Sequence, residues 1–204
     1  CAITRLDFDH TELLGESPYS IAWNKFGIIT KDSINYTIPQ SCQFQESLIK
    51  LSLETKRKLF IVNPSWCNEM GLSGPTAETN TSLAIATSLE FMLKTNFIKQ
   101  YQINMNLNYI YNEDKNDIFN KGNKVGEFCF NDKILKAKIE EGVKNAHIEG
   151  RYQILTFNEI KWYIDGAHTN ESISICQNWF INELKKSNAD IRNDSILLCA
   201  TSKN

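Results

Sequence analysis

Lys161-Trp162-Tyr163-Ile164-Asp165-Gly166-Ala167-His168-Thr169, read with the residues around it, decides the fold class of this chain. An apolar run gives way at Asp165-Gly166 to a short polar loop. Asn170 to Lys186 then places Ile173, Cys176, Trp179, Phe180 and Leu184 on one stripe of an amphipathic helix. Ser195 to Thr201 is apolar again and has the length of a strand. Strand, helix and strand in that order form a β-α-β unit, which favours parallel pairing in a Rossmann-like domain. Gln153 to Phe157 reads as a further strand leading into it.

The same alternation runs toward the amino terminus. Asp132 to Asn145 has helical spacing in Ile134, Leu135, Ala137, Ile139 and Val143, and Gly150 stops it, so a domain boundary falls near residue 150. The stretch 104–132, rich in Asn, Lys and Asp without a clean period, reads as a variable insertion. A helix is expected from Asn80 through Leu93, another from about Glu46 to Arg57, and a strand from Lys58 to Val62. Ile28-Ile29 and Ile34 to Ile38 read as short strands. Ser17 as cap, Pro18 in the first turn and Gly27 as stop define a helix through Phe26. Ile3 to Phe8 is the first strand, with Asp9-His10-Thr11 in the loop at its carboxyl end, the end where ligands bind in open α/β sheets. The expectation is an α/β chain in two parts: residues 1–150 close one domain, and residues 151–204 begin a Rossmann-like second one.

Bulk properties exclude more than they identify. With 204 residues, 42% apolar and 23% charged, the composition is that of a globular protein. A formal charge of -2 argues against a broad nucleic-acid surface, which needs clustered Lys and Arg. No apolar stretch approaches the ~18–20 residues that span a bilayer, and Cys1-Ala2-Ile3-Thr4-Arg5 lacks signal-peptide anatomy. The six cysteines show no CxxC pair and read as reduced thiols. A first residue other than Met and an apolar run close to the end give both termini the look of cuts.

Three clusters hold chemistry: Asp9-His10 with Lys25, Asn80, and Arg151 with Asp165-Gly166-Ala167-His168. Each has a plain reading beside the functional one. Asp9-His10 is a local hydrogen-bonded turn or a metal site. Lys25 complements a helix dipole or acts in a site. Asn80 is an N-cap or a ligand contact. Arg151 pairs with a surface carboxylate, and Asp165-Gly166 is a turn, unless both meet a ligand.

Resemblance to a family weights these alternatives. Ile3 to Gly15 and Ile21 to Ile28 are similar, without gaps, to the DHT-LLG and IAW-K-GI segments of the folylpolyglutamate synthases. Farther along, Glu149-Gly150-Arg151-Tyr152-Gln153 resembles that family's PGR-Q segment, and Trp162 to Thr169 resembles its WYLDGAHT. All lie in the family's order and span residues 3 to about 180.

The resemblance implies an internal piece of a Mur-type amide ligase: the end of an ATPase domain and the start of a smaller Rossmann-like domain. It implies that His10 is a magnesium ligand and that Lys25, carried as a carbamate, supplies oxygens to the metal. It places Arg151 at the phosphates of ATP, Asp165 at the ribose, His168 in the same catalytic site and Asn80 near the adenine, so that one nucleotide engages both domains. Magnesium, ATP as co-substrate and a monovalent cation are the implied cofactors. A reduced folate and L-glutamate are the other substrates, handled by a monomer in the cytoplasm, the mitochondrion or both. There are departures. Phe26 follows the lysine where a small residue is usual and would crowd the carbamate, Glu149 replaces a Pro, and Thr76-Ala77 replaces a His-Gln pair ahead of Asn80. No GxxxxGK[ST] phosphate loop occurs in these residues, so this chain alone is expected not to turn over. Dihydrofolate synthase is the nearest enzymatic rival, and a non-catalytic folate- or nucleotide-binding relative is the rival from another class.

Overall fold

Helix positions in this chain follow from local chemistry. Ser17 Oγ accepts the Ser20 N–H at 3.0 Å, and Ser20 Oγ accepts the Ser17 N–H at 3.2 Å. With Pro18 in the first turn, this reciprocal cap starts α2 (Pro18–Phe26), and Gly27 closes it. Farther on, Phe44, Ser47, Leu48, Leu51 and Ser52 recur at helical spacing and form the buried face of α3 (Cys42–Thr55).

The computed structural model describes residues 1–64, 70–72, 74, 76–106, 108–109, 127–158, 160–168 and 170–186. They divide into two compact units. The first comprises Cys1–Glu69 with Glu78–Gly142, and the second Met70–Ala77 with Val143–Asn204.

The first unit is built on a four-stranded sheet in the order β1-β2-β3-β5. Here β1 is Ala2–Ile3, β2 Tyr36–Thr37, β3 Phe60–Ile61, and β5 Asn108–Tyr109, which follows β4 (Ile103–Asn106) in the chain. The first three strands run parallel, in the register Ala2↔Tyr36 and Tyr36↔Phe60, and β5 joins antiparallel. Helices α1 (Thr11–Leu14) and α2 connect β1 to β2, and α3 connects β2 to β3. The sheet is covered on both faces. Ile3 and Ile61 pack with Ile21, Phe26, Leu48 and Leu51 of α2 and α3. Tyr36 and Val62 pack instead with Leu83 and Ala86 of α4 (Ala77–Lys94). This is the burial of a parallel α/β sheet, in which neighbouring strand residues serve opposite layers.

Several sequence expectations need correction. The strand expected over Ile3 to Phe8 pairs only at Ala2–Ile3. Beyond it, the Gln40 side chain takes the place of a neighbouring strand, its Oε1 accepting the Leu6 N–H and its Nε2 donating to Thr4 O, both at 2.9 Å. Ile28-Ile29 forms no strand, because the Ile29 N–H closes a turn onto Phe26 O and its carbonyl takes the Arg57 guanidinium. The paired part of Ile34 to Ile38 is Tyr36–Thr37, and that of Lys58 to Val62 is Phe60–Ile61. Helix α3 starts at Cys42 rather than Glu46, which brings Phe44 into the core at 2% exposure. Helix α4 starts at Ala77, where the Ala77 N–H reaches Gly74 O.

Strands form at the edges of the 104–132 stretch: β4 pairs antiparallel with β6 (Glu127–Phe130). Asp132 then starts α5 (Lys133–Asn145) by accepting the Ile134 and Leu135 N–H groups on Oδ1 and the Gln102 amide on Oδ2.

In the second unit, β7 (Gln153–Phe157) and β8 (Ile160–Ile164) form an antiparallel ribbon, followed by α6 (Asn170–Lys186). Trp179, Phe180 and Leu184 are buried, and Tyr152, Tyr163 and Cys176 pack against them. The Tyr152 and Tyr163 rings meet Trp179 edge-on at 5.3 and 5.7 Å. The strand expected at 195–201, and with it the parallel pairing, lies outside the described residues. No helix among the described residues is long and apolar enough to cross a membrane.

Candidate functional site

In the first unit, polar groups gather where the chain leaves β1. The Phe8 N–H bonds Asp7 Oδ1 at 2.8 Å, the Asp9 N–H bonds Asp7 O at 3.0 Å, and the His10 N–H bonds Asp9 Oδ1 at 2.9 Å. His10 then turns into the left-handed region at φ 52°, and its carbonyl accepts the Leu13 and Leu14 N–H groups that begin α1. This geometry turns the imidazole back on its neighbour: His10 Nε2 lies 3.5 Å from Asp9 Oδ2, with the two side chains 62% and 41% exposed. The local hydrogen-bonded turn is therefore present, and it carries a nitrogen and a carboxylate donor side by side.

That pair offers one oxygen and one nitrogen donor to a divalent cation. Magnesium takes oxygen-rich octahedral sets at about 2.0–2.1 Å, which puts adjacent donors about 2.9 Å apart, and it is commonly held by one or two protein groups plus substrate phosphates. Asp9 Oδ2 and His10 Nε2 need to approach by only about 0.6 Å to share such an ion. The family resemblance names His10 alone as the metal ligand, and the geometry sets the Asp9 carboxylate beside it.

Lys25 is exposed in the last turn of α2. The Asn24 amide donates to Leu14 O at 3.2 Å and so fastens α2 to the end of the His10–Leu14 turn. The expected crowding by Phe26 does not arise. Consecutive helical residues point about 100° apart, and Phe26 is 2% exposed in the core while Lys25 faces solvent. Asn80 is not an N-cap, because α4 begins three residues earlier; its side chain is exposed within the first helical turns.

In the second unit Arg151, Asp165 and His168 come together. Asp165 directly follows β8, and its Oδ2 accepts the Tyr152 N–H at 2.9 Å. That bond holds Tyr152 at φ 46°, a left-handed conformation that costs a bulky L-residue on the order of 1–2 kcal/mol. The Tyr152 ring is anchored on Trp179, and burial, followed by the charge of Asp165, raises its phenol above the usual range. So fixed, the chain turns at Gly150, φ 71°, and carries the Arg151 guanidinium to the backbone of Gly166. His168 Nδ1 faces Gly166 O at 3.0 Å, and the His168 N–H donates to Ser172 Oγ on α6 at 3.1 Å. A carbonyl can only accept, so the neutral ring carries its proton on Nδ1 and Nε2 is the basic nitrogen. A cation, a carboxylate and an imidazole thus line one short loop at the carboxyl end of a strand. Tyr152 escaped the sequence reading, since nothing in an aromatic residue signals a positive φ.

These elements define an α/β chain of the Mur-ligase fold. No family model matches it. Its relatives are specific nonetheless: by sequence the chain is similar to a segment of proteins named folylpolyglutamate synthase. The enzyme of that name from Saccharomyces cerevisiae strain FostersO is 26% identical over 191 residues, which cover 92% of this chain and 30% of the relative. That from strain AWRI796 gives the same identity and coverage. The chain therefore spans about a third of the length of these curated relatives. Among solved structures, the apo form of L. casei FPGS matches with a TM-score of 0.61 and 17% identity, over 93% of this chain and 42% of that one. A structure described as an FPGS-AMPPCP-folate complex matches with a TM-score of 0.60 and 18% identity, over 91% and 42%.

Proposed function

We propose that the protein carrying this chain joins L-glutamate to the γ-carboxyl of reduced folates, using ATP and an acyl-phosphate intermediate. The observation that carries this reading is the similarity to folylpolyglutamate synthases along 92% of the chain. The Asp9-His10 loop follows β1 of the parallel sheet, on the carboxyl side where α/β sheets bind ligands, and the Asp165-His168 loop follows β8. The fold likeness to a complex with AMPPCP, an ATP analogue, and folate supports the same substrates.

The reaction brings anions together. A folate carboxylate oxygen attacks the γ-phosphorus, the bond to the bridging oxygen breaks and ADP leaves. The glutamate amine then attacks the acyl carbon and releases phosphate. Arg151 offsets charge on the transferred phosphoryl group, the interaction that counts most in phosphoryl transfer. Asp165 has Oδ2 occupied by the Tyr152 N–H and offers Oδ1 to a ribose hydroxyl. His168 stands in the same loop, two residues past Gly166, and the family resemblance places the Asn80 amide at an adenine edge. Asp9 and His10, with Lys25 as a carbamate, would hold magnesium, which would supply positive charge against the phosphates.

In the full-length protein, His10→Ala is expected to reduce ATP-dependent glutamylation of tetrahydrofolate by at least tenfold and to raise the magnesium concentration required. Unchanged turnover at every magnesium concentration removes His10 from the site. Running the same assay with dihydropteroate separates the folate-extending reaction from dihydrofolate synthesis. Nucleotide binding without turnover of either acceptor identifies a non-catalytic relative.

A further inference from the structure

Gly166 stands at a point where glycine is not required by backbone conformation. Among the described residues the glycines with positive φ are Gly15, Gly74 and Gly150, and Gly166 is not among them. Its need for a missing side chain comes from its neighbour. A Cβ built on Gly166 would lie against Arg151 Nη1, with Arg151 Cζ at 3.0 Å and Nη2 at 3.5 Å, so the guanidinium occupies the space an alanine methyl would fill. Three other contacts fix the two sides of this seat. Asp165 Oδ2 holds the Tyr152 N–H next to Arg151, Trp179 holds the Tyr152 ring, and His168 Nδ1 holds Gly166 O.

We propose that Gly166 is a positioning residue for nucleotide binding, acting through Arg151: its bare backbone is a seat that aims the guanidinium. The inference rests on the reading of Arg151 as a phosphate ligand. Arginine recognises phosphate through a planar fork, so the orientation of the guanidinium matters as well as its charge. The three nearest atoms that a methyl group at Gly166 would meet all belong to the flexible end of the Arg151 side chain. Gly166→Ala should therefore leave folding intact and spoil only the aim.

The test is a double-mutant cycle in the full-length protein, reading the dissociation constant of the non-hydrolysable analogue AMPPCP and the melting temperature of each variant. Arg151→Ala weakens AMPPCP binding, and Gly166→Ala alone weakens it roughly tenfold, as expected for misalignment of one charge-assisted pair. In the Arg151→Ala background Gly166→Ala has no further effect, and its melting temperature stays that of the parent. A purely structural glycine gives equal losses in both backgrounds, which overturns the inference while leaving Arg151 in the nucleotide site. Full affinity in Gly166→Ala, or failure of that variant to fold, also overturns it. Unchanged affinity in Arg151→Ala is a separate result, because it refutes the phosphate role of Arg151 and takes the inference down with it.

Discussion

Replacing Asp165 separates the turn its carboxylate holds from the ribose contact proposed for it. Asp165→Ala removes the acceptor of the Tyr152 N–H, a 2.9 Å bond between half-buried groups that holds a bulky residue at φ 46°. A hydrogen bond to a charged group contributes about 1.5–3 kcal/mol net, and partial exposure of Asp165 favours the lower end. The expected local loss is thus about 1.5 kcal/mol, roughly tenfold in the opening equilibrium of this turn. Hydrogen exchange reads it directly: the Tyr152 amide should exchange about ten times faster in Asp165→Ala. Asp165→Asn keeps a carbonyl oxygen in place, so its Tyr152 amide should stay slow while nucleotide affinity falls with the lost charge. Equal Tyr152 exchange rates in all three proteins would refute the claim that Asp165 holds this turn.

Two further outcomes concern stability and pH. The Tyr36 phenol is buried at 1% exposure and donates to Glu90 Oε2 at 3.2 Å, and burial, then the Glu90 charge, raises its pKa far above the usual phenol range. Because the folded state keeps the proton that the unfolded state releases near pH 10, stability is full below that pH and falls above it. Tyr36→Phe should blunt this alkaline decline in denaturant titrations between pH 9 and about pH 11, and a parallel decline in both proteins contradicts the assignment. The Asp132 carboxyl is lowered by the Gln102 hydrogen bond first and the Leu135 N–H second. The stability it confers is present above the unfolded carboxyl range and is lost as pH falls through its folded value. Asp132→Ala should speed exchange of the Ile134 and Leu135 amides at neutral pH, with the difference from the parent vanishing in acid. A difference that persists in acid argues against Asp132 as the cap.

What the sequence makes legible is what local chemistry decides. Ser17, Pro18 and Gly27 mark α2 because caps act within one turn, and the stripe ending at Leu184 marks α6 because burial follows the helical period. Strand lengths were overestimated for a non-local reason, since Gln40, remote in sequence from Leu6, intercepts the ladder of β1. The α/β class follows from the alternation of elements, which tolerates such errors. At the site, Arg151, Asp165 and His168 are legible as polar residues around a strand end. The left-handed Tyr152 and the seat under Arg151 are not, because both depend on atoms brought together by folding. Phe26 was misjudged by treating neighbours in sequence as neighbours in space.

The Gln40 amide sets a demand on its position that neither size nor polarity expresses. One planar group gives a donor to Thr4 O and Thr37 Oγ1 and an acceptor to the Leu6 N–H. Glutamate, nearly the same shape, would turn a second oxygen toward the Thr4 carbonyl, and methionine would answer neither partner. Spontaneous deamidation there would thus be a form of chemical ageing, releasing the chain that leads from β1 to His10 while every charged residue at the loop stayed in place.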